Sequence, residues 1–174
     1  MSDIPEQLRL PMLQRLYRYW DEKRGGRSMP LRRDVEPADL KDLLPHLMIV
    51  EPTGEAEEER RFRYRLVGSA LVEAFGFNFV GTHVGSTTTG NYSRLLLDIY
   101  GKAFTLGRPV LARSTYEPKD DAPKEVSRLL LPLSNDGRSA HQVLSMHLFE
   151  YRHHRREPAS LKTIDVFDNV VEVL

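Results

Sequence analysis

Residues 62–81 read Phe62-Arg63-Tyr64-Arg65-Leu66-Val67-Gly68-Ser69-Ala70-Leu71-Val72-Glu73-Ala74-Phe75-Gly76-Phe77-Asn78-Phe79-Val80-Gly81, and this stretch decides the fold. Apolar residues at 62, 64 and 66 alternate with arginines at 61, 63 and 65, the period of a half-buried strand. The alternation stops at Gly68-Ser69. Leu71, Val72 and Phe75 then recur at helical spacing, with Ser69 the expected N-cap and Gly76 the residue just past the helix end.

Upstream, Leu13, Leu16, Tyr17 and Trp20 fall at i, i+3, i+4 and i+7 of a helix over 12–23, entered after Pro11 and ended by Gly25-Gly26. That stripe either caps its own domain or pairs with a second copy, and the expectation carried forward is a homodimer built on these four residues. Pro37 starts a short helix that turns Leu40, Leu43 and Leu44 inward, and Leu47-Met48-Ile49-Val50 is a buried first strand. The acidic run from Gly54 to Arg60 reads as a solvated loop.

Downstream, Tyr92, Leu95, Leu96, Ile99, Ala103 and Leu106 form one helical stripe behind Asn91 as N-cap, with Gly107 past the end. Strands follow at about 109–116, 126–133 and 140–151, the last two joined by the turn signal Asn135-Asp136-Gly137. The final strand is apolar on both parities, Val143 and Phe149 on one and Leu144, Met146 and Leu148 on the other, which places it in the middle of a sheet. After Tyr151 the chain turns polar and basic through Arg152-His153-His154-Arg155-Arg156-Glu157-Pro158. Residues 163–174, with Ile164, Val166, Phe167, Val170, Val171 and Val173, are too apolar to remain in solvent and are expected to dock.

The strand, the short helix, Gly76 and Gly81 together resemble the opening of a PAS domain, the small sensory fold of bacterial signalling. The wider pattern, from Arg32-Arg33-Asp34 through Leu44-Pro45-His46 to Leu131-Pro132-Leu133 and Asp136-Gly137, is similar to the stand-alone PAS-like proteins of alphaproteobacteria. The resemblance covers residues 12 to 151. The expected fold is α+β: a PAS-like five-stranded antiparallel sheet with helices on one face, plus an N-terminal helix and a C-terminal extension. Residues 1–26 would form the helical element, 27–151 the domain and 152–174 the extension.

Composition narrows the function classes. The 174 residues are 40% hydrophobic and 29% charged, enough apolar content for one core. Lys+Arg and Asp+Glu are both 25, so there is no basic excess for nucleic acid or an anionic membrane. No cysteine is present, which removes disulfides, thiol nucleophiles and thiolate ligands, and with them the photochemistry of cysteine-dependent flavin sensors that Phe75–Gly81 superficially resembles. Neither a basic-then-apolar leader nor an apolar run of about 18 residues is found, so the expectation is a cytoplasmic protein.

Enzyme signatures are absent: no Gly-x-Ser-x-Gly elbow, no phosphate loop, no His-Glu-x-x-His and no dinucleotide fingerprint. His153 and His154 are adjacent among arginines, and His141 and His147 stand about 20 Å apart along a strand, so no metal site is expected; a haem role for His83 is left open and the cofactor stays unnamed. Polar residues inside apolar segments, with Phe104 beside Tyr100 on the flank of the long helix, mark the ligand-binding candidates: Tyr64, Asn78, Tyr100, Phe104, Ser145 and His147. The functional expectation is a sensory or interaction module that binds a small molecule or a signalling partner, without catalysis. Two alternatives stand beside it. One is a small-molecule enzyme using Tyr64, Asp98 or His147 as acid–base groups, and the other is a structural adaptor with a filled core.

Overall fold

The computed structural model describes residues 4–54, 61–88, 90–116, 124–150 and 166–174. The acidic loop, the basic break with His153 and His154, and Ile164 therefore lie outside the described residues. Three helices, α1 (Pro11–Arg24), α2 (Ser69–Phe75) and α3 (Gly90–Leu106), accompany six strands. The strands are β1 (Leu47–Thr53), β2 (Arg61–Val67), β3 (Val110–Tyr116), β4 (Lys124–Ser134), β5 (Ala140–Glu150) and β6 (Val166–Val173). They form one antiparallel sheet in the order β2-β1-β5-β4-β3-β6.

β5 lies between β1 and β4, the interior position that its two apolar parities require. The sixth strand, β6, comes from the C-terminal extension and pairs along β3, with Leu174 N donating to Pro109 O at 2.9 Å. The β4–β5 hairpin closes where the turn signal stands. Asp136 Oδ1 accepts from the backbone N of Arg138 (2.8 Å) and Ser139 (3.1 Å), while Ser134 Oγ accepts from Gly137 N (2.8 Å). Those donors hold the Asp136 carboxyl well below the usual carboxylate range.

The sheet is covered on both faces. α2 and α3 pack one face through Leu71, Tyr92, Leu96, Ile99, Tyr100, Ala103 and Phe104. The N-terminal helix takes the opposite face, where Leu13, Leu16, Tyr17 and Trp20 meet Leu111, Leu129, Leu131, Leu133, Leu144 and Met146. The four residues expected at a dimer face are thus at most 8% exposed in the single chain. Trp20 also donates Nε1–H to the Pro132 carbonyl at 2.8 Å. Capping is the role this helix has within one chain.

Local departures have physical causes. Register shifts between Ile49 and Val50, so that Ile49 faces Leu66 and Val50 faces Tyr64, leaving Arg65 as the extra residue of a bulge. The bulge breaks the alternation, and Leu66 is exposed while Phe62 and Tyr64 are buried. Arg63 of the arginine ladder pairs with Glu51 at 2.6 Å. The N-cap of α2 is Gly68, not Ser69. A Cβ at position 68 would sit 2.3 Å from the Pro45 carbonyl oxygen, so only glycine lets the strand end approach this turn. Gly76, at φ 76°, ends the helix as expected. α3 begins at Gly90, which puts Asn91 inside its first turn, and the segment after Pro37 forms short 3₁₀ turns.

Two outcomes follow from the packing. Trp20→Ala should destabilise the chain by about 3–5 kcal/mol, because it removes a buried ring and leaves the Pro132 carbonyl unpaired. A change below about 1 kcal/mol in urea unfolding would show that α1 is not docked on the sheet. Removing residues 152–174 should bare the edge of β3 and lower the melting temperature, and an unchanged melting temperature would contradict the β3–β6 pairing.

Candidate functional site

Alternation aims one parity of β3, β4 and β5 at α3: Val110, Ala112 and Ser114, then Val126, Arg128 and Leu130, then Val143, Ser145 and His147. Register places Ala112 beside Arg128 and Arg128 beside His147, with Leu130 beside Ser145 in the next row. α3 closes the layer with Tyr92, Ile99, Tyr100 and Phe104. The result is a short polar row set in an apolar interior.

Arg128 is 1% exposed. Its Nη1 donates to Ser114 Oγ at 2.7 Å, and its guanidinium carbon lies 5.3 Å from the centroid of the Tyr92 ring. Its Nε–H has no partner, and among the described residues no carboxylate forms an ion pair with it. His147, 2% exposed, has no partner on either ring nitrogen. Tyr100 OH and Ser145 Oγ share a hydrogen bond of 2.8 Å.

Burial, and secondarily the Arg128 charge, pushes the His147 imidazole well below its ordinary value, so it stays neutral. Burial likewise raises the phenols of Tyr64 and Tyr100. The neighbouring Tyr100 and Tyr92 raise Tyr64 further, and Arg128 lowers it, so the three tyrosines and the arginine share one electrostatic environment.

Magnitudes show that the row is unbalanced. Burying an ion costs several kcal/mol. A hydrogen bond to a charged group returns about 1.5–3 kcal/mol, and a desolvated cation–π contact about 2 kcal/mol. The unmade bonds at Arg128 Nε and at His147 each cost about 1–3 kcal/mol more. The protein thus holds a cation whose neutral partners only partly compensate it.

Of the six sequence-derived candidates, Tyr64, Tyr100, Phe104, Ser145 and His147 converge in this interior. Phe104 stacks on Phe62 with centroids 4.8 Å apart, and Tyr64 meets Phe79 edge-on at 4.9 Å. Asn78 does not join them. It is exposed, and its side-chain oxygen accepts from Val80 N at 3.0 Å, which makes it a turn former. Arg128, Ser114 and Tyr92 are absent from those candidates. The signal for Arg128 was an arginine on the Val126–Leu130 parity of a strand apolar on both faces.

Asp98 is exposed and pairs with Lys102 at 2.7 Å, so it is not brought to His147. Among the described residues no group of three or more histidines and carboxylates could hold a metal ion. No described helix is long and apolar enough to cross a membrane. A solvent-open groove of about 350 Å³ lies on the α1 side, between Gln7–Leu10 and β3, β4 and β6. Its walls mix Arg9 and Arg113 with Glu125 and Asp168, and Arg113 is already paired with Glu172 at 2.8 Å.

A family model described as PAS domain matches residues 8–148. The chain belongs to the PAS domain family. As a PAS domain it is a sensory or signalling module in kind, and β6 lies beyond the matched region. No curated protein matches the chain.

The neutral state of His147 has a pH signature. The unfolded imidazole takes up a proton near pH 6.5 while the folded one does not, so this group's contribution is complete above about pH 6.5 and is lost on acidification. Between about pH 6.5 and 5, His147→Leu should remove a slope of up to about 1.4 kcal/mol per pH unit from the stability curve. Equal slopes for wild type and variant in denaturant titrations would show that His147 is not held neutral.

Proposed function

We propose that this PAS domain senses a small molecule held between α3 and the sheet, and that its output runs through interaction in the cytoplasm, not through catalysis. The observation that carries this reading is the unsatisfied polar row, Arg128 Nε and both ring nitrogens of His147, inside an otherwise apolar interior. A site that is mostly apolar with a few convergent polar groups suits a small organic ligand. Tyr64, Tyr100, Phe104, Ser145 and His147 would line it, with Arg128 as the added anchor.

The route outward would be β4. Arg128 faces α3, its neighbours Leu129 and Leu131 face α1, and the Pro132 carbonyl accepts from Trp20. A ligand that shifts Arg128 therefore biases the packing of α1. Repacking would offer part of the Leu13, Leu16, Tyr17 and Trp20 stripe to a second copy or to a signalling partner, which is how homodimer formation would enter.

The adaptor reading has its own support in the close stacking of Phe62 on Phe104 and the edge-on contact of Tyr64 with Phe79. Native mass spectrometry of the freshly purified protein separates the two. The sensor reading expects a mass above the 20.1 kDa chain that disappears on denaturation and is lost in His147→Leu. A spectrum of bare chain alone, together with ordered water as the sole partner of His147 in a high-resolution crystal structure, would leave the adaptor.

A further inference from the structure

We infer that the molecule held at this site is a small monocarboxylate with an apolar body, its carboxylate received by Arg128 Nε–H and by His147. The inference rests on the ligand-sensor reading and names the chemistry of the ligand.

Charge decides the class. Arg128 is buried on the α3 side of the sheet with no carboxylate among the described residues paired to it, and the one buried carboxylate among those residues, Asp21, lies on α1 across the sheet and bonds Arg24 at 2.7 Å. Water would fill hydrogen bonds at Arg128 and His147 but would leave the cation uncompensated, whereas a carboxylate does both. A guanidinium presents its N–H groups in a planar fork matched to a carboxylate, and Ser114 already fixes the fork by holding Nη1. Neutral His147, Arg128's partner in the strand register, has one ring N–H to give to the second carboxylate oxygen.

Number and shape narrow it further. Arg128 is the single buried Lys or Arg among the described residues, which fits one negative charge and disfavours phosphorylated ligands. The surroundings beyond the polar row are Phe62, Tyr64, Val126, Leu130 and Phe104, an apolar wall for a short aliphatic or aromatic body.

The test uses the full chain with benzoate and hexanoate as probes and benzamide and hexanamide as uncharged controls, read by thermal shift and by isothermal titration at two salt concentrations. At roughly millimolar concentration the carboxylates should raise the melting temperature, and the amides should bind roughly 10- to 100-fold more weakly. Arg128→Met should abolish that preference, and Arg128→Lys should keep part of it. The preference should persist as salt rises, since a buried pair is little screened. Arg128→Met unfolded in the absence of probe would shift the comparison to Arg128→Lys and to Ser114→Ala, which frees the fork and should weaken carboxylate binding.

Three results overturn the inference. They are equal binding of amides and carboxylates, a preference that survives Arg128→Met, and the absence of any carboxylate-induced shift in the wild-type protein. A bound neutral molecule found by native mass spectrometry would sink the carboxylate and leave the sensor reading standing, whereas bare chain in that measurement sinks both.

Discussion

The central parts of β4 and β5, residues 126–131 and 143–147, are covered on both faces, so each residue there must be apolar, small or hydrogen-bonded within the protein. Leu129, Leu131, Leu144 and Met146 meet this on the α1 side, and Val126, Leu130 and Val143 on the α3 side. Ser145 meets it by bonding Tyr100. Arg128 meets it only in part, through Ser114, and His147 not at all, although they stand side by side in the register. Gln142 Oε1 and Thr88 Oγ1 are likewise unpaired, but Arg128 and His147 are neighbours in one row, and unpaired groups that cluster in an interior mark a candidate site.

The same constraint explains what could be read from the chain. β5 shows apolar residues on both parities, which is a direct statement of its central position, and the Asn135-Asp136-Gly137 turn locks β4 to it. α1 and α3 are legible because each has one apolar stripe. What periodicity could not give is the face each stripe takes, since a helix at position 12 and one at position 92 look alike as patterns. The bulge at Arg65 was equally hidden, because a register shift is a property of the pair and not of β2 alone. Gly68 in place of Ser69 at the α2 cap was set by a tertiary approach to Pro45, which no local preference encodes.

Five of the six candidates picked out by one rule, polar or aromatic residues within apolar segments, lie together in the interior between α3 and the sheet. Asn78 satisfied that rule but lies apart from them, because its phenylalanine neighbours occupy a turn, where an asparagine bonds nearby backbone. Arg128 escaped because an arginine in a strand ordinarily reads as a solvated residue, as Arg61 and Arg65 in fact are. Only the cover on both faces turns the same residue type into a buried cation.

That cover also limits how a signal can leave the interior. Leu13, Leu16, Tyr17 and Trp20 are all buried, and at about 1.5–3 kcal/mol per large apolar side chain their docking amounts to about 6–12 kcal/mol. A ligand that binds one state about 10⁴-fold better than another shifts a population by only about 5.5 kcal/mol. Occupation of the Arg128 site would therefore not expel α1 into water. It would suffice for a small displacement of β4 against the helix, carried by the Trp20–Pro132 hydrogen bond. Exchange of α1 between two copies is a different matter, because each helix would rebury the same stripe on the other sheet and most of the docking energy would cancel. A dimer formed in that way would draw on the same surface as capping, and a bias of a few kcal/mol at β4 would be of the right size to tip between them.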